Sequence, residues 1–158
     1  MGSHNFAGMV GIVLISENRE AAEMLKTVRR LLGRVKGITS ITMKPGTPPS
    51  QMRKRLKQAV VQVDGHKGII LLTDFYGSTQ CNVCMKFLRR GEVELLTGFS
   101  LPMLVKLGTL NQVMPFGELV AFIEQYGRDH IRHVEGKDRR RKNKKGRKNE
   151  GPNSLKNR

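Results

Sequence analysis

The chain has 158 residues, of which 29 are Lys or Arg and 13 are Asp or Glu, so its formal net charge is +16. This length suits one domain of ordinary size and argues against two full domains. A hydrophobic fraction of 38% argues against a wholly disordered chain, and an aromatic fraction of 5% without Trp leaves few parts for a stacking platform for single-stranded nucleic acid.

The first half of the chain alternates short apolar runs with amphipathic segments. Residues 9–16 form an apolar, β-branched run that predicts a strand buried on both faces, and residues 20–32 follow with helical spacing. Residues 38–43 predict a second strand, which the Pro- and Gly-rich residues 45–50 end. Residues 51–63 then predict an amphipathic helix.

The second half continues the alternation. Residues 68–73 predict a third buried strand, residues 79–89 a helix and residues 92–97 a fourth strand. A short helix is expected to follow the turn at 98–102 and to end at Leu107, and the last long helix is predicted over residues 116–133.

This order of elements predicts the fold class. Strands that alternate with helices favour an α/β fold with an open, mainly parallel four-stranded sheet, order 2-1-3-4, and helices on both faces. We expect one folded domain over residues 8–135. Residues 1–7, which begin Met-Gly-Ser-His, look like the remnant of an expression vector.

The end of the chain is strongly basic. Residues 137–158 hold 11 Lys or Arg and 2 acids, so residues 136–158 are expected to form a disordered tail. Such a tail could bind nucleic acid or an anionic membrane without specificity, or it could simply aid solubility. The cations of its densest block are Arg139, Arg140, Arg141, Lys142, Lys144, Lys145, Arg147 and Lys148.

The compartment is expected to be the cytoplasm. The uncharged residues 6–16 are too few to span a membrane. Two cysteines three positions apart do not make an extracellular disulfide framework.

The strand order also predicts where a ligand would bind. In open parallel sheets the site lies beyond the carboxyl ends of the strands, where the order reverses, which here is between the first and third strands. The loop after the third strand contains Gly77, Ser78 and Thr79 at the start of a helix, a placement that favours an anion such as phosphate. Alternatively, Ser78 or Thr79 caps the helix and Asp74 stabilises the loop.

Four segments carry a resemblance to a known family. They are GIVLIS at 11–16, AAEML at 21–25, LTDFYGSTQCN at 72–82 and TGFSLPML at 97–104. Residues 8–134 resemble the enzyme IIA domain of the mannose-family sugar phosphotransferase system. The resemblance implies a domain that accepts phosphate on a histidine from a histidine-containing phosphocarrier protein, passes it to a IIB-type domain and commonly forms homodimers.

One departure from the family pattern concerns the phosphate acceptor. Alignment of Ala-Ala-Glu in the first helix places Asn18 at the position of the phospho-accepting histidine, and Arg19 replaces a glycine. An amide nitrogen has no available lone pair with which to form a phosphoramidate. The resemblance makes Asp74 the aspartate that orients the histidine and Thr79 the hydroxyl that contacts the phosphoryl group. The remaining candidates for phosphate or partner binding are Glu17, Gly77, Ser78 and Ser100.

The four histidines are interpreted as surface residues. His66 precedes the third strand and therefore lies at the opposite edge of the sheet from the loops described above. His130 and His133 fall on the last helix, and His4 lies in the N-terminal remnant.

Two further kinds of site remain possible from the sequence, a phospho-aspartate site and a cysteine site. Asp74 and Glu17 could form a phospho-aspartate site with Mg²⁺, as in receiver domains. Those domains usually have two acids after the first strand, five strands and a lysine after the fifth. The Cys81-Asn82-Val83-Cys84 motif could be redox-active or half of a zinc site, but packing of both thiols as small apolar groups is favoured.

The leading hypothesis is a degenerate enzyme IIA-like domain that requires no metal or cofactor. It would act as a regulatory or docking module in sugar uptake or signalling. The first alternative is a working phosphocarrier that uses another residue. The second is a protein that binds nucleic acid or a membrane surface through its basic tail.

Overall fold

The protein is described by a computed structural model that covers residues 7–136. The expectations for the N-terminal remnant and for the basic tail lie outside the described residues, apart from Ala7 and Gly136. Within residues 7–136, no helix combines the length and the apolar character needed to cross a membrane.

Four parallel strands form one sheet, and this confirms the predicted fold class and strand order. The strands are β1 (Gly11–Ser16), β2 (Ile38–Thr42), β3 (Ile69–Thr73) and β4 (Val93–Thr97), in the order β2-β1-β3-β4. Every residue of β1 and β3 is buried. Because these two central strands are apolar on both faces, the sheet needs a helical layer on each side.

Five helices supply those layers. They are α1 (Glu20–Leu32), α2 (Pro49–Val63), α3 (Thr79–Met85), α4 (Leu101–Leu110) and α5 (Phe116–Asp129). Residues of α1, α4 and α5 pack with Ile12 and Leu14 on one face of the sheet. Residues of α2 and α3 pack with Val13 and Ile15 on the other face. Alternate residues of β1 therefore serve two separate cores.

Three predicted helix ends were wrong. α3 ends at Met85 and not at residue 89, because the chain turns there and Arg89 forms a bridge with Val93 at the start of β4. α5 ends at Asp129 and not at residue 133, since Ile131 beyond it has no core to join and is 85% exposed. α4 runs on to Leu110, three residues past the predicted end.

A buried asparagine joins the end of α4 to the sheet. The Asn111 side-chain amide donates hydrogen bonds to the carbonyl oxygens of Val10 (3.3 Å) and Lys36 (2.9 Å), the residues that lead towards β1 and β2. The backbone N–H of Val10 in turn donates to the Asn111 carbonyl at 2.8 Å. Asn111 therefore fixes the amino-terminal edge of the sheet, opposite the edge where a ligand is expected.

Replacing Asn111 should destabilise the fold. We expect Asn111→Ala to lower the free energy of unfolding by about 1–3 kcal/mol, because two carbonyl groups lose their buried donor. Urea unfolding followed by circular dichroism measures the change. The matched control is Gln112→Ala at the exposed neighbouring position, and equal stability of the two variants would contradict this role.

Candidate functional site

Each of the four strands ends in a hydroxyl residue. Ser16, Thr42, Thr73 and Thr97 are the last residues of β1, β2, β3 and β4. The strand register pairs Ser16 with Thr42 and Thr73 with Thr97. The carboxyl edge of the sheet is therefore lined with hydroxyl groups. The signal is present in the sequence as a Ser or Thr at or next to the end of each predicted strand.

Two of these hydroxyls hold the loop after β1. The hydroxyls of Ser16 (2.9 Å) and Thr42 (3.0 Å) both donate to the backbone carbonyl of Asn18. The Ser16 hydroxyl also accepts from the backbone N–H of Ala21 at 3.1 Å. The backbone at Asn18 is thus fixed between the ends of two strands and the first turn of α1.

The side chain of Asn18 turns towards α1. Its amide donates to the Glu20 carboxylate at 3.4 Å, and its backbone N–H donates to the same carboxylate at 3.2 Å. Asn18 and Glu20 are both exposed, whereas Glu17 is partly buried. Glu20 is a site residue that sequence reasoning missed, although its place two positions after Asn18 could have indicated it.

Two carboxylates in the first turn of α1, those of Glu20 and Glu23, are favoured in their charged form. The backbone N–H of Glu20 itself, and then the donors of Asn18, outweigh the effect of burial and lower the pKa of Glu20. Lys26 at 2.8 Å is the largest influence that lowers the pKa of Glu23, followed by Arg19 at 3.2 Å. Asn18 therefore lies among charged groups of both signs, since Arg19 and Lys44 line the same groove as Glu20 and Glu23.

The loop after β3 is organised mainly by local hydrogen bonds. The Asp74 carboxylate accepts from the backbone N–H of Phe75 at 2.9 Å. The Ser78 hydroxyl accepts from the backbone N–H of Cys81 at 3.0 Å and so caps α3. Gly77 has φ +83°, a left-handed conformation that favours glycine. Thr79 is exposed at the first position of α3.

A third loop adds Ser100 to this edge. Ser100 stands at the start of α4, and no partner for its buried hydroxyl occurs within residues 7–136. The same is true of the Thr73 hydroxyl at the end of β3. The backbone N–H of Gly98 donates to the Thr73 carbonyl at 2.9 Å and ties this loop to β3.

The structure brings the predicted site loops to one edge of the sheet. β1 and β3 are neighbours, so the loops that carry Asn18 and Asp74 leave the sheet side by side. The Asn18 loop forms its hydrogen bonds with Ser16, Thr42 and α1, whereas the Asp74 carboxylate accepts a hydrogen bond from Phe75 in its own loop. Within residues 7–136 no group of three or more His, Cys, Asp or Glu is placed to hold a metal ion.

All three histidines within residues 7–136 are exposed. His66 precedes β3 at the amino-terminal edge of the sheet and is within 3.7 Å of Asp64. His130 stacks on Tyr126 at a centroid distance of 3.7 Å just after α5, and His133 is exposed beyond it. His4 lies outside the described residues.

The two cysteines are buried free thiols within α3. Cys81 and Cys84 both have 0% relative exposure. Burial, and to a smaller degree the neighbouring Cys81, raises the pKa of Cys84 to about 12. A thiol in this state is a poor nucleophile and a poor redox partner.

The fold and the loops define a class of protein: a doubly wound α/β domain with a polar site at the carboxyl edge of a parallel sheet. The family described as "PTS system fructose IIA component" matches residues 11–124. The chain therefore belongs to this family, the mannose-type enzyme IIA domains of the sugar phosphotransferase system.

Relatives with known names agree with this assignment. The chain is 27% identical over 130 residues to the "PTS system mannose-specific EIIAB component" of Escherichia coli K12, and the same protein of Shigella flexneri gives the same figure. The match covers 81% of this chain but only 40% of the length of these curated relatives.

Solved structures share the fold. The mannose/sorbose-specific IIA subunit of Enterococcus faecalis aligns with a TM-score of 0.71 at 20% identity, covering 82% of this chain and 98% of that one. Phosphotransferase system component EIIA of Streptococcus agalactiae aligns with a TM-score of 0.70 at 20% identity, covering 79% and 97% of the two chains.

Burial should protect Cys84 from alkylation. In a Cys81→Ala variant, which leaves Cys84 as the single cysteine, we expect iodoacetamide to react far more slowly with the native protein than with the protein in denaturant. Burial, the larger of the two causes that raise the pKa of Cys84, persists in this variant and keeps the thiolate fraction near neutral pH well below that of an exposed thiol. Mass spectrometry of timed samples measures both rates, and equal rates would contradict the assignment.

Proposed function

We propose that this chain is an enzyme IIA-type domain that has lost its phosphorylation site and acts as a docking or regulatory module in sugar uptake or signalling. The observation that carries the proposal is the residue at the acceptor position. Asn18 stands there, with its amide directed at the Glu20 carboxylate. An amide nitrogen cannot take up a phosphoryl group as an imidazole does.

The framework around the lost acceptor is nevertheless ordered. Ser16 and Thr42 still hold the Asn18 carbonyl, Asp74 and Ser78 still bond within their loop, and Thr79 remains exposed at the start of α3. A surface with this geometry can still dock a protein that recognises the shape of an enzyme IIA domain. The proposed partners are the histidine-containing phosphocarrier protein and a IIB-type domain.

The curated relatives indicate the setting. The protein of Escherichia coli is named a mannose-specific EIIAB component, and this chain spans 40% of its length. We therefore propose a role in sugar uptake because this chain is similar to part of that protein. Both cysteines are free, which suits the reducing cytoplasm that the proposal assumes.

Phosphorylation in a reconstituted relay tests the lost site. With phosphoenolpyruvate, enzyme I and the phosphocarrier protein, we expect the full chain to take up no phosphate. We expect Asn18→His combined with Arg19→Gly to acquire acid-labile phosphate, because the hydroxyls of Ser16 and Thr42 already hold this backbone. Intact-mass spectrometry measures the uptake.

The matched control is Arg19→Gly alone, which removes the same cation without supplying an imidazole. Stoichiometric phosphate on the unaltered chain would reject the degenerate site and favour a working carrier. Mapping of that phosphate to Asp74, with a requirement for Mg²⁺, would favour the receiver-like alternative instead.

We also propose that the chain forms a homodimer through the β4 edge of the sheet. β4 pairs with β3 alone among the described strands, and all five of its residues are partly exposed. An apolar groove beside it has lining residues that include Met85, Leu88, Leu95 and Ile131. An unpaired strand edge beside apolar side chains is suited to a second copy of the chain, and the resemblance to the family implies one.

A charge placed in the groove should disrupt the dimer. We expect the unaltered chain to sediment as a dimer and Leu88→Asp to shift it to monomer, because the carboxylate would be desolvated at the interface. Leu31→Asp is the matched control, since Leu31 is 62% exposed on α1 and lies outside the groove. Sedimentation equilibrium gives the association state. A monomeric unaltered chain, or identical behaviour of the two variants, would refute the interface.

A further inference from the structure

The charges of the described domain are divided sharply along the chain. Residues 24–63 contain ten Lys or Arg and no Asp or Glu. The ten cations, which we call the β2 face, are Lys26, Arg29, Arg30, Arg34, Lys36, Lys44, Arg53, Lys54, Arg55 and Lys57. Forty consecutive residues without a carboxylate are unusual where about a quarter of residues are charged.

This segment forms one side of the molecule. It comprises the second half of α1, the edge strand β2 and the whole of α2. α1 and α2 both pack against β2, from opposite faces of the sheet. All ten side chains of the β2 face are exposed. Positive charge therefore surrounds one edge of the sheet on both faces.

The β2 face is almost free of internal ion pairs. Lys26 contacts Glu23 at 2.8 Å, and the other nine cations have no carboxylate within salt-bridge distance among residues 7–136. Outside residues 24–63 and 137–158 the chain holds 8 basic and 11 acidic residues, a net charge of −3. The folded domain is thus electrically bipolar, and a polyanion would be steered to the β2 face.

One cation lies directly at the strand edge. The Arg55 guanidinium donates to the carbonyl oxygen of Thr42 at the end of β2, at 3.1 Å. Gln58 and Gln62 line the same shallow groove along β2. The hydrogen bond holds the guanidinium in place and leaves most of its five donors for an external acceptor.

We propose that the β2 face binds duplex nucleic acid through its phosphate backbone. Half of its cations are arginines, which match phosphate oxygens with paired donors. Residues 24–63 contain no Phe, Tyr or Trp, so stacking on unpaired bases is not available and a duplex is favoured over a single strand. Contacts to phosphate alone predict binding without sequence preference.

The composition of the face favours nucleic acid over other anionic partners. Protein interfaces usually have an apolar core enriched in aromatic residues, and membrane-surface helices insert aromatic residues or leucines. The large exposed apolar side chains in this segment are Leu31 and Val61, which lie on different helices. A phosphate polymer requires only the cations and polar donors that are present.

Charge neutralisation on α2 tests the proposal. We expect the full chain to bind a short fluorescent duplex DNA in an anisotropy titration. A variant with Arg53→Gln, Lys54→Gln, Arg55→Gln and Lys57→Gln should bind at least about tenfold more weakly, with a salt slope smaller by about 2 to 4. Glutamine favours helix nearly as well as lysine and arginine, so α2 should remain folded.

The matched control removes four exposed cations from elsewhere: Lys67→Gln, Lys86→Gln, Arg90→Gln and Arg132→Gln. Its net charge is identical and residues 137–158 are unchanged, so we expect a loss of less than about threefold. A second variant, Arg29→Gln with Arg30→Gln and Arg34→Gln, addresses the same face from α1 and should weaken binding in the same direction. If the α2 variant does not fold, this α1 variant tests the proposal in its place.

Equal losses in the face and control variants would overturn the proposal, because net charge alone would then explain binding. Tighter binding of poly-glutamate or of phosphatidylserine vesicles than of duplex DNA would also overturn it, in favour of an acidic protein or a membrane. These outcomes are independent of whether Asn18 can be phosphorylated, since neither variant alters the Asn18 loop.

Discussion

Burial of β1 and β3 on both faces is the constraint on which the rest of the structure depends. Because both strands are apolar throughout, each face of the sheet must be covered by helices, and the helices must connect strands that run in parallel. Gly11 shows how closely the layers approach: a Cβ at this position would lie 2.5 Å from the carbonyl oxygen of Val63 at the end of α2. The same parallel arrangement brings all four strand ends to one edge, where the polar loops meet.

That edge is held together by hydrogen bonds that stabilise the fold. The Ser16 hydroxyl both donates to Asn18 and accepts from Ala21, so it joins β1 to α1 whatever side chain stands at position 18. The Ser78 hydroxyl is likewise engaged in capping α3. These hydrogen bonds run to the backbone at Asn18, Ala21 and Cys81, so they do not depend on which side chain stands at position 18.

The sequence was most informative where burial dominates. The four strands and their order could be predicted because apolar runs between helical patterns leave few alternatives. The ends of α3 and α5 could not, since they depend on the Arg89–Val93 bridge and on the absence of a core beneath Ile131. Likewise, the Asn18–Glu20 contact is a choice of side-chain conformation, which sequence spacing does not fix. The structural role of Asn111 could not be predicted, because its partners Val10 and Lys36 are distant along the chain.

The position of the β2 face relative to the Asn18 loop links the two proposals. Lys44 of that face lines the same groove as Asn18, Arg19 and Glu17, so the positive edge continues up to the loop where a partner protein would dock. A duplex that extends along β2 would therefore reach the docking surface and compete for it. Glu23 in α1 does not oppose this approach, because its carboxylate is already paired with Arg19 and with Lys26 of the β2 face.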